Sequence, residues 1–203
     1  QEGRVAGLDI NASMLAKARD IAGATNIEWI ESDVVDIGLP SDTYDAILSQ
    51  HGYHYFPDKP EALKEFRRLL KTGGRLAFSI WDGHSPYTTA LCAAVERHIS
   101  VEVAAKQRAQ RQTPTADALR SELTVAGFKN VKVLRQELTI TVPRAAEFVP
   151  LHLASMPIAG AFMALEDHSK EALIKDVSDA MAPFEQGSTL VYPDAVHVVL
   201  GWK

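Results

Sequence analysis

The chain has 203 residues, enough for one domain with a real core or one domain plus a modest insertion. Its formal charge of −5 argues against a nucleic-acid partner, because phosphate binding wants a basic face. A single cysteine, Cys92, excludes a disulfide framework and fits a reducing, cytoplasmic setting, and no apolar run approaches the roughly 18 residues of a membrane span.

The chain starts at Gln1 rather than Met, which predicts a processed or truncated product. Residues 4–10 form a short apolar run ending in an acid and read as a buried strand. Asn11 reads as a helix N-cap, followed by a helix over 12–22 with Met14, Leu15, Ala18 and Ile21 on one face. Residues 27–31 read as a second strand, 32–41 as a loop and 44–49 as a third strand. An amphipathic helix over 57–71 follows, stopped by Thr72-Gly73-Gly74. Residues 75–81 read as a fourth strand. This alternation predicts an α/β fold with a parallel sheet.

Beyond Trp81 the texture changes. Residues 86–112 and 115–126 read as helical, with Cys92 as a small buried hydrophobe and Lys106, Arg108 and Arg111 as a solvated face. Residues 128–141 alternate as a strand with a bend between Val133 and Leu138. Residues 143–183 are helical again, with breaks near Pro157 and Gly160, and 192–202 form a last apolar strand. The expected division is a core of 1–142 and 184–203 with a helical insertion or lid at 143–183.

Four segments carry candidate chemistry. Asp9, at the carboxyl end of the first strand, can accept from both hydroxyls of a ribose, or it can simply cap a helix. Asp33, after the second strand, can accept from an adenine amino group while the Val34 N–H reaches a ring nitrogen; an ordinary loop acid is the other reading. Lys71-Thr72-Gly73-Gly74-Arg75-Leu76 explains itself as turn chemistry. The segment from Gln50 to Asp58 sets His51, Tyr53, His54 and Tyr55 at a strand end where ligands sit. The two histidines have no evident metal-ligand companion, so no metal site is expected.

Together, in this order and spacing, these segments resemble the class I S-adenosylmethionine-dependent methyltransferases of the ubiquinone and menaquinone biosynthesis group. Gly7-Leu8-Asp9-Ile10-Asn11 resembles the family's second-strand motif, Asp33 its adenine-contacting acid, and Tyr44-Asp45-Ala46-Ile47 its fourth strand. Leu63 to Leu76 resembles the helix leading to its fifth strand, with Thr72 where the family often has proline. The resemblance is specific over residues 4–81. It implies S-adenosylmethionine as cofactor: Asp9 would hold the ribose, Ile10 and Met14 would pack near the adenine, Asp33 and Val34 would read its edge, and Gln50 and His51 would stand near the methionine end. It also implies a Rossmann-like, mostly parallel sheet with a final antiparallel strand, and a helical insertion between the last two strands.

The family's first strand and its glycine-rich turn have no counterpart before Asp9, so the central first strand is expected to be missing and cofactor binding weak. The Asp9 strand and the Tyr44 strand would then pair directly, or another segment or chain would fill the place, since unpaired buried backbone is costly. Methyl transfer needs mainly alignment, with a base only for a poor nucleophile. His51 and His54 are the base candidates; Tyr53 and Trp81 are candidates to line the pocket of a small, hydrophobic or aromatic acceptor. The apolar helices of 143–183 read as a lid, or as the surface of a homodimer. Two rivals are a nicotinamide-dependent oxidoreductase, which also uses an acid-ended strand, and a non-catalytic fragment or scaffold on the same fold.

Overall fold

The acid-ended apolar run forms the expected strand, but not a buried one: none of its residues is buried, and Val5 is 53% exposed. In the computed structural model, which describes residues 3–23 and 26–203, β1 (Val5–Asp9) leads into α1 (Ala12–Ala22) and β2 (Ile27–Glu31). Asn11 Oδ1 accepts from the amides of Ser13 and Met14 and closes the first helical turn. Gly7 permits close packing of an indole, since a Cβ there would lie 2.5 Å from the Trp29 ring. The predicted apolar face of α1 is only half covered: Leu15 is buried, while Met14 and Ile21 are 59% and 77% exposed.

β3 (Tyr44–Gln50), α2 (Lys59–Leu69) and β4 (Leu70–Trp81) follow. The helix ends at Leu69 rather than at Lys71. Leu70 turns extended, pairs with Tyr44 and is fully buried. The Lys71-to-Gly74 segment then loops out of the strand, with Gly73 at φ +78°, before Ala46 meets Arg75. Those glycines therefore turn a strand and not a helix end, because burying Leu70 in the sheet outweighs one more helical residue.

Next come α3 (Pro86–His98), α4 (Val101–Ala109), α5 (Ala116–Val125) and the long strand β5 (Lys129–Pro143). The irregularity in β5 lies between Lys129 and Lys132, around Asn130 at φ +51°, and not between Val133 and Leu138. Helices α6 (Ala145–Ser155), α7 (Ala159–Met163) and α8 (Asp167–Met181) precede β6 (Glu185–Gln186) and β7 (Thr189–Trp202).

The strands lie in two sheets. β1 and β2 form a parallel pair; the larger sheet has the order β3-β4-β7-β5, with β6 on β7. β3 and β4 are parallel, whereas β7 is antiparallel to both β4 and β5, so β5 runs in the sense of β4. This is the mostly parallel α/β layout with a final antiparallel strand. Of the two arrangements expected for the Asp9 and Tyr44 strands, direct pairing does not occur. Among the described residues β1 pairs only with β2 and β3 only with β4, so each keeps one unpaired edge. The exposure of Leu48 on β3 (80%) and Val5 on β1 (53%) follows from those open edges.

Two apolar cores result. The first joins α2, α5 and the middle of β4 and β7, with Leu8, Val34 and Ile37 packed in from the β1–β2 unit. The second gathers α3, α4, α6, α7 and α8 around the far halves of β5 and β7, through Leu91, Val149, Leu153, Leu173, Val177 and Leu190. Because β5 and β7 are 15 and 14 residues long, one ribbon serves both cores. Most of the apolar side chains of 143–183 are consumed in the second core: Leu153, Ile158 and Phe162 are buried, while Leu151 and Met163 stay 69% and 62% exposed.

Candidate functional site

The carboxyl ends of the strands collect the chemistry. At the first, Asp9 lies opposite Glu31 in the β1–β2 register, and the Ser32 N–H donates to the Asp9 carbonyl at 3.2 Å. Asp33 therefore starts the loop that leaves the neighbouring strand tip, and the two acids stand side by side in topology. Asp9 Oδ1 accepts from the Asn11 N–H at 2.8 Å, and Asp33 Oδ1 from the Val35 N–H at 3.2 Å. Each acid thus commits one oxygen to its own turn and holds the other outside that bond. Ile10 is 67% exposed, and the Val34 side chain is buried in the first core, which leaves that residue only main-chain atoms to offer.

At the β3 tip, Gln50 is exposed and His51 takes a left-handed backbone, φ +52°, uncommon for a residue with a Cβ. The His51 N–H donates to the Ser79 carbonyl of β4 at 3.0 Å, which continues the strand pairing through the turn. Its imidazole stacks on Trp81, at the tip of β4, with centroids 4.2 Å apart and planes 17° apart. Arg111 lies against the same indole, its Cζ 4.0 Å from the ring centroid. Burial, reinforced by the Arg111 charge, lowers the His51 pKa from its ordinary value. Burial with the neighbouring His51 pushes His54 down to about 4. Both Nδ1 atoms are buried without a hydrogen-bond partner among the described residues.

Tyr53 falls elsewhere. It is fully buried, stacks on Phe78 at 4.4 Å and donates its hydroxyl to Glu122 at 2.5 Å. The ring presents no surface to a ligand, so its place is the first core and not a pocket wall. The reason is the single 3-10 turn at Tyr53–Tyr55, which rolls Tyr53 inward and leaves Tyr55 61% exposed.

The sequence reading missed the residues that close the site from the other side. Arg111 is not on a solvated face: it is 8% exposed and donates from both terminal nitrogens to Asp194 of β7, at 2.7–3.3 Å. Lys106 and Arg108 remain outside, with Arg108 paired to Glu96. A signal existed: Ala104, Gln107 and Arg111 are spaced three and four apart, a stripe that continues the buried face of α4 into the turn after it, and Asp194 interrupts an apolar strand. Tyr87 stacks on Tyr192 at 5.7 Å, and its hydroxyl meets His152 Nδ1 at 2.8 Å. Burial raises the Tyr87 pKa and lowers that of His152, so both groups are held neutral. Cys92 is buried as expected, and burial raises its thiol pKa. Surface depressions around Lys64, Arg67 and Lys203, and around Lys71 and Gly74, lie toward the opposite strand ends and contain none of these groups.

The neutral histidines fix a pH response. The His54 folded pKa lies below its unfolded value, so the unfolded chain binds more protons between the two. Its contribution to stability is complete above about 6.5 and is lost as pH falls toward about 4. Denaturant midpoints should fall across that window in the parent, and less steeply in His54→Gln.

The fold and the strand-tip acids define an α/β protein of the Rossmann-like type, with its polar groups at the carboxyl ends of parallel strands. Residues 1–78 match the methyltransferase domain family. That segment is thus similar in sequence to methyltransferase domains, and the fold is the one seen in solved methyltransferase structures. It is 30% identical over 155 residues to the 2-phytyl-1,4-naphtoquinone methyltransferase of Synechococcus elongatus, a match covering 64% of this chain and 63% of that protein. It thus spans less than two thirds of the length of the curated relatives it matches. Its backbone is similar to a putative methyltransferase from Bacillus halodurans, with a TM-score of 0.63 at 15% identity, covering 99% of this chain and 83% of that one. It is also similar to the Haemonchus contortus phosphoethanolamine N-methyltransferase 2 complexed with S-adenosylhomocysteine, with a TM-score of 0.57 at 14% identity, covering 98% and 43%. Among the described residues, no helix is long and apolar enough to cross a membrane.

Proposed function

We propose that the chain serves methyl transfer from S-adenosylmethionine to a small aromatic acceptor. The observation that carries this reading is the pair of carboxylates, Asp9 and Asp33, on strand tips joined by the Ser32-to-Asp9 hydrogen bond. The residues present fit the nucleoside end of such a cofactor. Asp9 has an oxygen available for ribose hydroxyls, Asp33 and the Val34 main chain can meet the adenine edge, and exposed Ile10 and Met14 offer apolar surface for its faces. Gln50 stands at the β3 tip, where it would face the methionine end.

The cofactor supplies a methyl group on a positively charged sulfur. The rest falls to the chain: orienting the acceptor, excluding water and taking up a proton. Trp81, stacked on His51 and lying against Arg111, would border the acceptor ring. His51, neutral at pH 7 because it is half-buried beside Arg111, is the group placed to take the acceptor's proton, with His54 the second candidate. The name of the Synechococcus elongatus relative favours a quinone-type ring. In this reading residues 1–142 and 184–203 form the cofactor core. Residues 143–183, packed with α3 and α4 on the far ribbon, cover the acceptor side.

Calorimetric titration with S-adenosylhomocysteine, followed by transfer of a labelled methyl group to a panel of quinols, phenols and amines, tests the reading. Saturable binding with labelling of a ring acceptor is the expected result. No heat of binding at millimolar ligand, in a chain with native circular dichroism, would favour the scaffold alternative.

A further inference from the structure

The His51 ring is held by packing and not by a hydrogen bond at its Nδ1. Its buried Nδ1 has no partner among the described residues, and its backbone sits at φ +52°. One face-on contact of the ring is the Trp81 indole. That indole in turn lies against Arg111, whose own geometry is heavily determined. Its Nη1 donates to Asp194 Oδ1 at 3.3 Å and Oδ2 at 3.1 Å and to Thr88 Oγ1 at 3.2 Å, and its Nη2 donates to Asp194 Oδ2 at 2.7 Å. Asp194 also accepts the Ala195 N–H at 2.8 Å, which fixes the carboxylate to β7. A continuous chain of contacts therefore runs from β7, through the segment after α4, to the tips of β4 and β3.

We propose that Arg111, locked by Asp194, is a positioning residue of the acceptor site: it fixes the Trp81 indole and, through that stack, the His51 ring. Its purpose rests on the methyl-transfer reading, but its geometry does not. The guanidinium is planar and held at both ends of its fork, so it can serve as a fixed plate against the indole. A lysine at 111 keeps the charge for Asp194 yet supplies no plane and no second parallel hydrogen bond. A plain stability role would need the ion pair only; a positioning role needs the flat contact as well.

The test is nuclear magnetic resonance of the histidine ring protons in the whole chain, assigned with His51→Gln. In the parent, the stacked His51 protons sit upfield of free histidine because of the indole ring current, and Trp81→Phe reduces that displacement. In Arg111→Lys, with an unchanged far-ultraviolet circular dichroism spectrum, the displacement should shrink by half or more. Methyl transfer should fall at least tenfold through kcat, with S-adenosylhomocysteine affinity held within twofold. Should Arg111→Lys not fold, Arg111→Leu/Asp194→Leu removes the plate without leaving a buried unpaired charge, and the same loss of displacement is expected. A His51 signal that stays upfield in a folded variant overturns the proposal and leaves Arg111 a stability role. If the parent transfers no methyl group, the functional reading fails by itself, while the ring-current comparison still decides the positioning claim.

Discussion

Asp194→Ala should destabilise the fold by about 3–5 kcal/mol, because it leaves the Arg111 guanidinium buried without its counter-ion. For a domain of this size that corresponds to a fall in melting temperature of roughly 6–20 °C, at about 2–4 °C per kcal/mol. The loss should persist in high salt, since a pair with side chains 9% and 5% exposed is poorly screened. Arg111→Leu/Asp194→Leu should lose far less, because removing both charges leaves no unpaired group. Thermal melts of the two variants check this. Equal losses would mean that the ion pair is not what holds the second core to the ribbon. The exposed pairs Lys64–Glu61 and Arg120–Asp117 lie on single helices and should each be nearly silent when broken.

The second large effect concerns ligand affinity. Asp9→Ala should weaken S-adenosylhomocysteine binding about 10- to 150-fold, the equivalent of losing roughly 1.5–3 kcal/mol of charge-assisted hydrogen bonding. Asp9→Asn should lie between, since an amide oxygen still accepts but carries no charge. The fold should be little affected, because among the described residues the Asp9 side chain makes only a local bond to the Asn11 N–H. Asp33→Ala should weaken binding by a smaller factor, with the loss appearing for adenosine and not for methionine as competing ligand. Isothermal titration measures all of these. Affinity unchanged in Asp9→Ala with intact secondary structure would dissociate the strand-tip acids from any nucleoside.

Part of this was legible residue by residue. The helix over Ala12–Ala22 follows from Asn11, whose side chain caps two amides, and the helix over Ala116–Val125 from Thr115, which caps Ala118. Strand direction followed from the alternation of helix and strand, which the parallel β1–β2 and β3–β4 pairs obey. Cys92 was readable as a buried thiol because its neighbours are apolar. Other readings failed where two local rules compete. Thr72-Gly73-Gly74 looks like a helix stop, yet Leu70 is drawn into the sheet first. Tyr53 sits in a polar, aromatic stretch, yet one tight turn is enough to bury it. Arg111 carries a charge, and only long-range pairing with Asp194, 83 positions later, allows its burial.

The sequence by itself determined the local units: their caps, their alternation, and the acids that end the first two strands. Those depend on contacts within a few residues, where propensity and hydrogen-bonding geometry act directly. Tertiary structure alone decided which charges are buried, which aromatic rings stay available, and that the β1 and β3 edges remain unpaired among the described residues. These outcomes depend on partners distant in the chain, whose approach is set by the packing of two cores on one long ribbon. No local pattern encodes the energy of an ion pair or a stacked ring until that packing has brought the groups together.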